Sequence, residues 1–468
     1  MLIAGEWVEG ASTFTVVNKF TGDPVAVVSA ASREQVSQAV HAATSAFERQ
    51  RLAPYTRYEI LRRASDLLES RRAEFIATIV AESGFTVTDA EGEVARGIQT
   101  LLLCAEEAKR MNGEVVPIDG APGQEHRMAF TIRRPVGVVC AITPFNSPLN
   151  TVCHKVGPAI AAGNTVVLKP AMQTPLTAEL LCRVLEEAGV PAGHLNLVQG
   201  DGAQVGTWLL EEPRFAFYTF TGSTAVGRII QRTIGLRRSQ LELGSISSTI
   251  VCEDADLARA VPRCVSASFR KAGQVCTSVQ RLYVQKSILE AFVAALVEAT
   301  VKARVGDPRD ASTLVGPMIS AGEAERASAW VKEAVAQGAR LACGGRNEGA
   351  LFFPTILVDV TSRMRVMCDE IFAPVISIVP FESLDCVISE INATPYGLAA
   401  GVFTTNINTA MQAARQLNVG TIHINETSSS RVDVMPYGGI KDSGFGREGP
   451  KYAMHEMTNE HLITWSLN

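Results

Sequence analysis

Apolar positions recur along this chain in two periods. From Arg33 to Gln50, Val36, Val40, Ala43 and Phe47 fall on one helical face. Thr56 with Glu59 has the form of a capping box and predicts a helix running to about Ala81. Val136 to Ile142 and Thr165 to Leu168 are short β-branched runs of the kind buried in parallel sheets. Between them, Val152 to Ala162 reads as a helix stopped by Gly163-Asn164, and Thr174-Pro175 opens another that closes at Gly189. The alternation continues with a strand at Leu195 to Val198, a helix at Gln204 to Glu211, a strand at Phe215 to Phe220 and a helix at Ala225 to Thr233. Such a series predicts a doubly wound α/β unit.

A second series begins after Glu242. Thr249 to Cys252 and Arg281 to Gln285 read as strands, and Leu257 to Phe269, Ile288 to Arg304 and Gly322 to Gln337 as helices. Val115 to Asp119 and Ala129 to Arg133 alternate in polarity around Gly120-Ala-Pro-Gly123, which predicts a hairpin leaving the first unit. Long exposed hairpins offer unpaired edges to partners, so an oligomer contact is expected there.

Composition narrows the class. The chain has 468 residues, 47% hydrophobic and 19% charged, enough to bury a large core. Its net charge of -5 is interspersed, and no basic run points to nucleic acid or an anionic membrane. No basic segment precedes an apolar one at the start, and the apolar runs are too short to span a bilayer. The 10 cysteines are scattered without a Cys-x-x-Cys pair, which suggests reduced thiols in the cytoplasm and no metal site.

Four features could carry chemistry. Cys276, in Gly273-Gln274-Val275-Cys276-Thr277, sits where glycine permits close backbone approach, although a buried thiol in a turn would look the same. Glu242 ends an apolar strand, as a structurally paired carboxylate or as a base with a raised pKa. Asn146, in Thr143-Pro144-Phe145-Asn146, follows a strand end, where it could donate to an oxyanion or simply occupy a stiff loop. Two strand–helix turns bear glycines, Gly200 to Gly206 and Phe220 to Gly227. Both suit a pyrophosphate, but neither has the standard dinucleotide spacing.

Together these features resemble the aldehyde dehydrogenase superfamily over nearly the whole chain. The resemblance rests on Pro144-Phe145-Asn146, Lys169-Pro170-Ala171, Phe220 to Gly227, Glu242-Leu-Gly244, Gly273-Gln-Val-Cys276, Glu370-Ile-Phe372-Ala-Pro374 and Pro436-Tyr-Gly438-Gly439, in the family's order. It implies a Rossmann-like cofactor domain (residues 1–113 and 136–242, with 431–450), an α/β catalytic domain (243–430) and a small β oligomerisation arm (114–135 and 451–468). It also implies NAD or NADP as cofactor and a homodimer or homotetramer. Cys276 would be the nucleophile, Glu242 the base and Asn146 an oxyanion donor. Thr143, Phe145, Lys169, Met172, Gly222, Ser223, Gly244, Glu370 and Phe372 would bind the cofactor.

Departures from the family pattern bear on specificity. Phe145 replaces a frequent Trp, and Ser245 replaces a second glycine. Met172 stands where NAD-preferring members often carry a Glu, so a 2′-phosphate would meet no repulsion and NADP should be used as well as, or better than, NAD. Alignment on the motifs places Arg96, Asn150, His154, Arg270, Val275, Thr277, Ser429 and Arg431 around the far end of the aldehyde. Arg270 matches a carboxylate-binding position of succinate-semialdehyde dehydrogenases. Arg96 and Arg431 match anion-binding positions of phospho- and sulfo-aldehyde relatives, although Val275 breaks that match. The segment from Arg431 to Tyr437 resembles lactaldehyde dehydrogenases. The arginines could instead pair with nearby acids such as Asp433. A short anionic or α-hydroxylated aldehyde is therefore expected. A coenzyme A-acylating enzyme is disfavoured by Glu242, and a non-catalytic family member by the joint presence of Cys276, Asn146 and Glu242.

Overall fold

The computed structural model describes residues 1–467. Two α/β units and a small three-stranded sheet make up the chain. The central strands of the first sheet run Leu195–Leu197, Thr165–Lys169, Val138–Ile142, Phe215–Thr221 and Arg238–Glu242, all mutually parallel. Val138 to Ala141 are buried at 3% exposure or less, which explains why this run is apolar throughout rather than alternating.

The order of these strands matters for function. From Val138–Ile142 the chain moves outward through Thr165–Lys169 and Leu195–Leu197, then returns to the opposite side with Phe215–Thr221. The winding reverses between Val138–Ile142 and Phe215–Thr221. A crevice opens at the carboxyl ends of strands at such a reversal.

The second sheet has seven strands, centred on Arg281–Gln285 and Ser248–Val251. Its strands are parallel except where Arg340–Cys343 pairs with Thr355–Val358. In the third sheet, Arg127–Pro135 pairs antiparallel with Val115–Val116 on one side and Thr458–Ser466 on the other.

Two expectations need correction. Thr56 and Glu59 do not form a capping box, because the helix Pro54–Ser70 already starts at Pro54, whose fixed φ suits the first helical position. Nor does that helix run on to residue 81. It ends at Arg71, and a separate helix spans Arg72–Ser83. The capping box of this region belongs to Ser32 and Gln35, which open the helix Arg33–Arg49. A hairpin of Ser12–Val17 with Pro24–Ala30 carries too little apolar alternation to have been legible. No helix among the described residues is long and apolar enough to cross a membrane.

Candidate active site

Strand ends of the first sheet supply one wall of a cavity of about 890 Å³. Thr143, Phe145 and Asn146 follow Val138–Ile142, Lys169 ends Thr165–Lys169, Gly222 and Ser223 follow Phe215–Thr221, and Glu242 ends Arg238–Glu242. The second unit supplies the facing wall through Arg270, Val275, Cys276, Thr277, Glu370 and Phe372. Met172, Gly244, Arg96, Asn150 and Arg431 also line it. His154 and Ser429 stand behind the lining. His154 Nε2 lies 2.9 Å from Asp433, and the Ser429 hydroxyl accepts from Arg270 at 2.8 Å.

The turn that presents Cys276 is locally strained. After the helix Leu257–Phe269, Lys271 and Ala272 adopt φ of 51° and 52°, unusual for residues with a Cβ. Gly273 follows at φ +70°, and a side chain there would bring its Cβ within 2.3 Å of the Ala373 carbonyl. Buried contacts hold the strained segment. Lys271 Nζ donates to Glu93 at 2.7 Å and to the Asn146 carbonyl at 3.0 Å, while its N–H donates to Asp89 at 3.1 Å. Burial works to raise Glu93, but the Lys271 ammonium and Ser147 hydroxyl outweigh it and hold the carboxyl at about 2.

Cys276 is half-buried, with its Sγ 3.2 Å from the Tyr437 hydroxyl. Burial pushes the thiol up to about 11, the Tyr437 hydrogen bond opposing the rise. Its N–H has no acceptor among the described residues. Asn146 Nδ2 donates to the Gln274 carbonyl at 2.8 Å, which brings a side-chain amide to the turn that carries Cys276. Glu242 is 3% exposed, and neither of its carboxylate oxygens has a hydrogen-bond partner among the described residues. Burial, and then the charge of Glu448, push its pKa well above the usual carboxylate range. Gly438 leaves room for this carboxylate, since a Cβ there would lie 2.8 Å from Glu242 Oε1.

Glu448 has the opposite character. Lys155 donates to it at 3.1 Å and Arg431 at 2.8 Å, and these two cations overcome its burial and hold it ionised. Asp433 is similarly held down. Burial would raise it, but His154 and a two-pronged contact from Arg96, at 3.1 and 2.7 Å, prevail. Asn150 also donates to Asp433, at 3.0 Å. Of the four arginines lining the cavity, Arg96, Arg431 and Arg326 are ion-paired with Asp433, Glu448 and Glu323, whereas Arg270 hydrogen bonds only to Ser429 and feels Asp89 and Glu93 at a distance.

The other end of the cavity fits a dinucleotide. Lys169 Nζ is buried with the Pro170 carbonyl, 3.2 Å away, as its hydrogen-bond partner, and burial lowers the ammonium to about 8. Ser223 caps the helix Thr224–Ile234, whose free N-terminal amides suit a pyrophosphate. Glu370 accepts from the Ser245 N–H at 2.8 Å, and burial raises it to about 7. Phe372 meets Phe145 edge-on at 5.9 Å.

Sequence reasoning did not single out Tyr437, Glu448, Lys155, Lys271 or Glu93. A signal existed for Lys155, a lysine in the middle of an apolar helix, and it is fully buried. Tyr437 lay inside a motif to which no role was attached.

Comparison with known proteins agrees with this geometry. Residues 7–463 match the model of the aldehyde dehydrogenase family. A 3-sulfolactaldehyde dehydrogenase of Priestia aryabhattai is 50% identical over 467 residues, covering 100% of this chain and 98% of the relative. Aldehyde dehydrogenase 21 from Physcomitrella patens, solved with its reaction product succinate, superimposes with a TM-score of 0.97 at 35% identity, covering 100% of this chain and 98% of that one. Glyceraldehyde-3-phosphate dehydrogenase from Methanocaldococcus jannaschii, solved with NADP, superimposes with a TM-score of 0.93 at 38% identity, covering 97% and 99%. The chain belongs to the aldehyde dehydrogenase family and is an NAD(P)-dependent aldehyde dehydrogenase.

Proposed function

We propose that this enzyme oxidises a short aldehyde with an anionic far end, with 3-sulfolactaldehyde as the leading candidate, to its carboxylic acid. The observation that carries this reading is the charge pairing of the cavity. Arg96 and Arg431 are matched by Asp433 and Glu448, while Arg270 faces the cavity with only the neutral Ser429 as partner. Asp89 and Glu93 act on Arg270 only at a distance, and a cation in the cavity wall with no carboxylate in ion-pair contact suits an incoming anion. The likeness to a 3-sulfolactaldehyde dehydrogenase supports the same choice.

The Cys276 thiolate attacks the carbonyl carbon. A C–S bond forms, and the carbonyl electron pair moves to oxygen. The Asn146 amide and the Cys276 N–H stabilise that oxyanion. Lys169, Ser223, Glu370 and the edge-on pair Phe145 and Phe372 would hold NAD or NADP, which would accept the hydride that leaves the carbon as the oxyanion re-forms C=O and gives the thioester. Glu242, once ionised, takes a proton from water as that water attacks the thioester carbon. The C–S bond then breaks and the thiolate returns. The first unit serves the cofactor and the second the nucleophile. The three-stranded sheet, with Val115, Leu462 and Trp465 exposed, serves assembly into dimers or tetramers.

Arg270→Met tests the substrate assignment. It should lower kcat/KM for 3-sulfolactaldehyde by about 10- to 100-fold and leave that for a neutral short aldehyde nearly unchanged. An equal fall for both would overturn the assignment.

A further inference from the structure

The scheme above leaves one buried hydroxyl beside the nucleophile without a task. Tyr437 is 4% exposed, and its hydroxyl lies 3.2 Å from Cys276 Sγ. The guanidinium carbon of Arg431 sits 3.8 Å from the centre of the Tyr437 ring. Arg431 is fixed in turn by Glu448, whose other oxygen is held by Lys155. A chain of contacts thus runs from a fully buried lysine to the thiol.

Its chemistry is directional. A phenol can donate its proton to a thiolate, and a cation stacked on the ring polarises the O–H toward stronger donation. The charged groups acting directly on Cys276 are Glu242 and Glu370, which oppose a thiolate, and Arg431 and Arg270, which favour one. With two carboxylates nearby, a dedicated donor has a clear use.

We propose that Tyr437, backed by Arg431, is a positioning residue that fixes the direction of Cys276 Sγ and donates its O–H to the thiolate. Arg431 then acts on the thiol, through the Tyr437 ring and directly by its charge, and not as a grip for the substrate's anion. The proposal rests on Cys276 being the nucleophile. That reading is tested separately, since Cys276→Ser should abolish turnover.

The test is alkylation of Cys276 by iodoacetamide across neutral to alkaline pH, read by mass spectrometry of the peptide that contains it, in the full-length enzyme. Tyr437→Phe should shift the profile upward by about one pH unit, slowing alkylation near neutrality roughly tenfold. Arg431→Met should shift it in the same direction by less, and Arg431→Lys should restore part of the shift. A Tyr437→Phe profile that superimposes on the wild type, with circular dichroism unchanged, would overturn the proposal. Should Tyr437→Phe fail to fold, Arg431→Met decides. An unchanged thiol profile with a raised KM for anionic aldehydes alone would return Arg431 to the role of substrate grip and refute the proposal.

Discussion

Asn146 and Gln274 are joined by a 2.8 Å hydrogen bond from the asparagine amide to the backbone carbonyl, which ties a loop of the first unit to the turn that carries Cys276. One amide proton is spent on this tie. The second is free to face an oxyanion. Asn146→Ala should lower kcat by about 100- to 1000-fold with a smaller change in KM, measured by steady-state kinetics. A loss confined to KM would mean that the amide serves binding and not the transition state.

The Lys271–Glu93 pair supports the same turn from beneath. Lys271 is 7% exposed and Glu93 2%. Removing one partner leaves an uncompensated buried charge, so Glu93→Ala should cost about 3–5 kcal/mol in denaturant unfolding. Because Lys271 itself sits at positive φ in the turn before Cys276, turnover should also fall in molecules that remain folded. Stability close to that of the wild type would show that Lys271 finds another partner.

Glu242 sets the expected pH dependence. Burial, and then the charge of Glu448, raise its pKa, so the ionised base forms at higher pH than an ordinary carboxylate's would. Thioester hydrolysis should therefore accelerate with pH well above the ordinary carboxylate range, and Glu242→Gln should flatten the profile. Stability follows the opposite sign. A carboxyl with a raised folded pKa favours the fold below its unfolded pKa and loses that contribution as pH climbs through the folded one. Thermal melts at alkaline pH should thus show the Gln variant more stable than the wild type. A wild-type rate that is level from acid to neutral pH would contradict the assignment.

Cofactor choice should turn on Met172, which is 37% exposed and lines the cavity close to Lys169 in the chain. With no carboxylate at this position, the buried Lys169 ammonium can pair with a 2′-phosphate. NADP should give kcat/KM at least equal to that of NAD, and Met172→Glu should shift the ratio toward NAD by about tenfold or more. Turnover with NAD and none with NADP in the wild type would refute this.

What the sequence disclosed follows from locality. Val138–Ile142 and the Val166 to Leu168 core of Thr165–Lys169 were legible because strands buried on both faces read as continuous apolar runs. Cys276, Glu242 and Asn146 were legible through short motifs around each of them. The ion pairs that tune the site were not, because none lies within a short motif and most join distant segments. Arg96 and Asp433 are 337 positions apart, and Lys155 and Glu448 are 293 apart. Nothing beside Arg431 in the chain shows that Glu448 will neutralise it, so three arginines looked equally available to a substrate when one of them lacks an ion-paired carboxylate. The false capping box at Thr56 failed for a local reason, since Pro54 had already begun the helix.

The central claim is that Cys276 carries the acyl group of a short anionic aldehyde. It is tested most directly by intact-protein and peptide mass spectrometry of the Glu242→Gln enzyme, quenched after mixing with 3-sulfolactaldehyde and NAD or NADP. With the hydrolytic base removed, the account expects a stoichiometric acyl adduct on the peptide containing Cys276, absent when cofactor is omitted. An adduct on another residue, or adducts formed from neutral long-chain aldehydes but not from the anionic one, would contradict it.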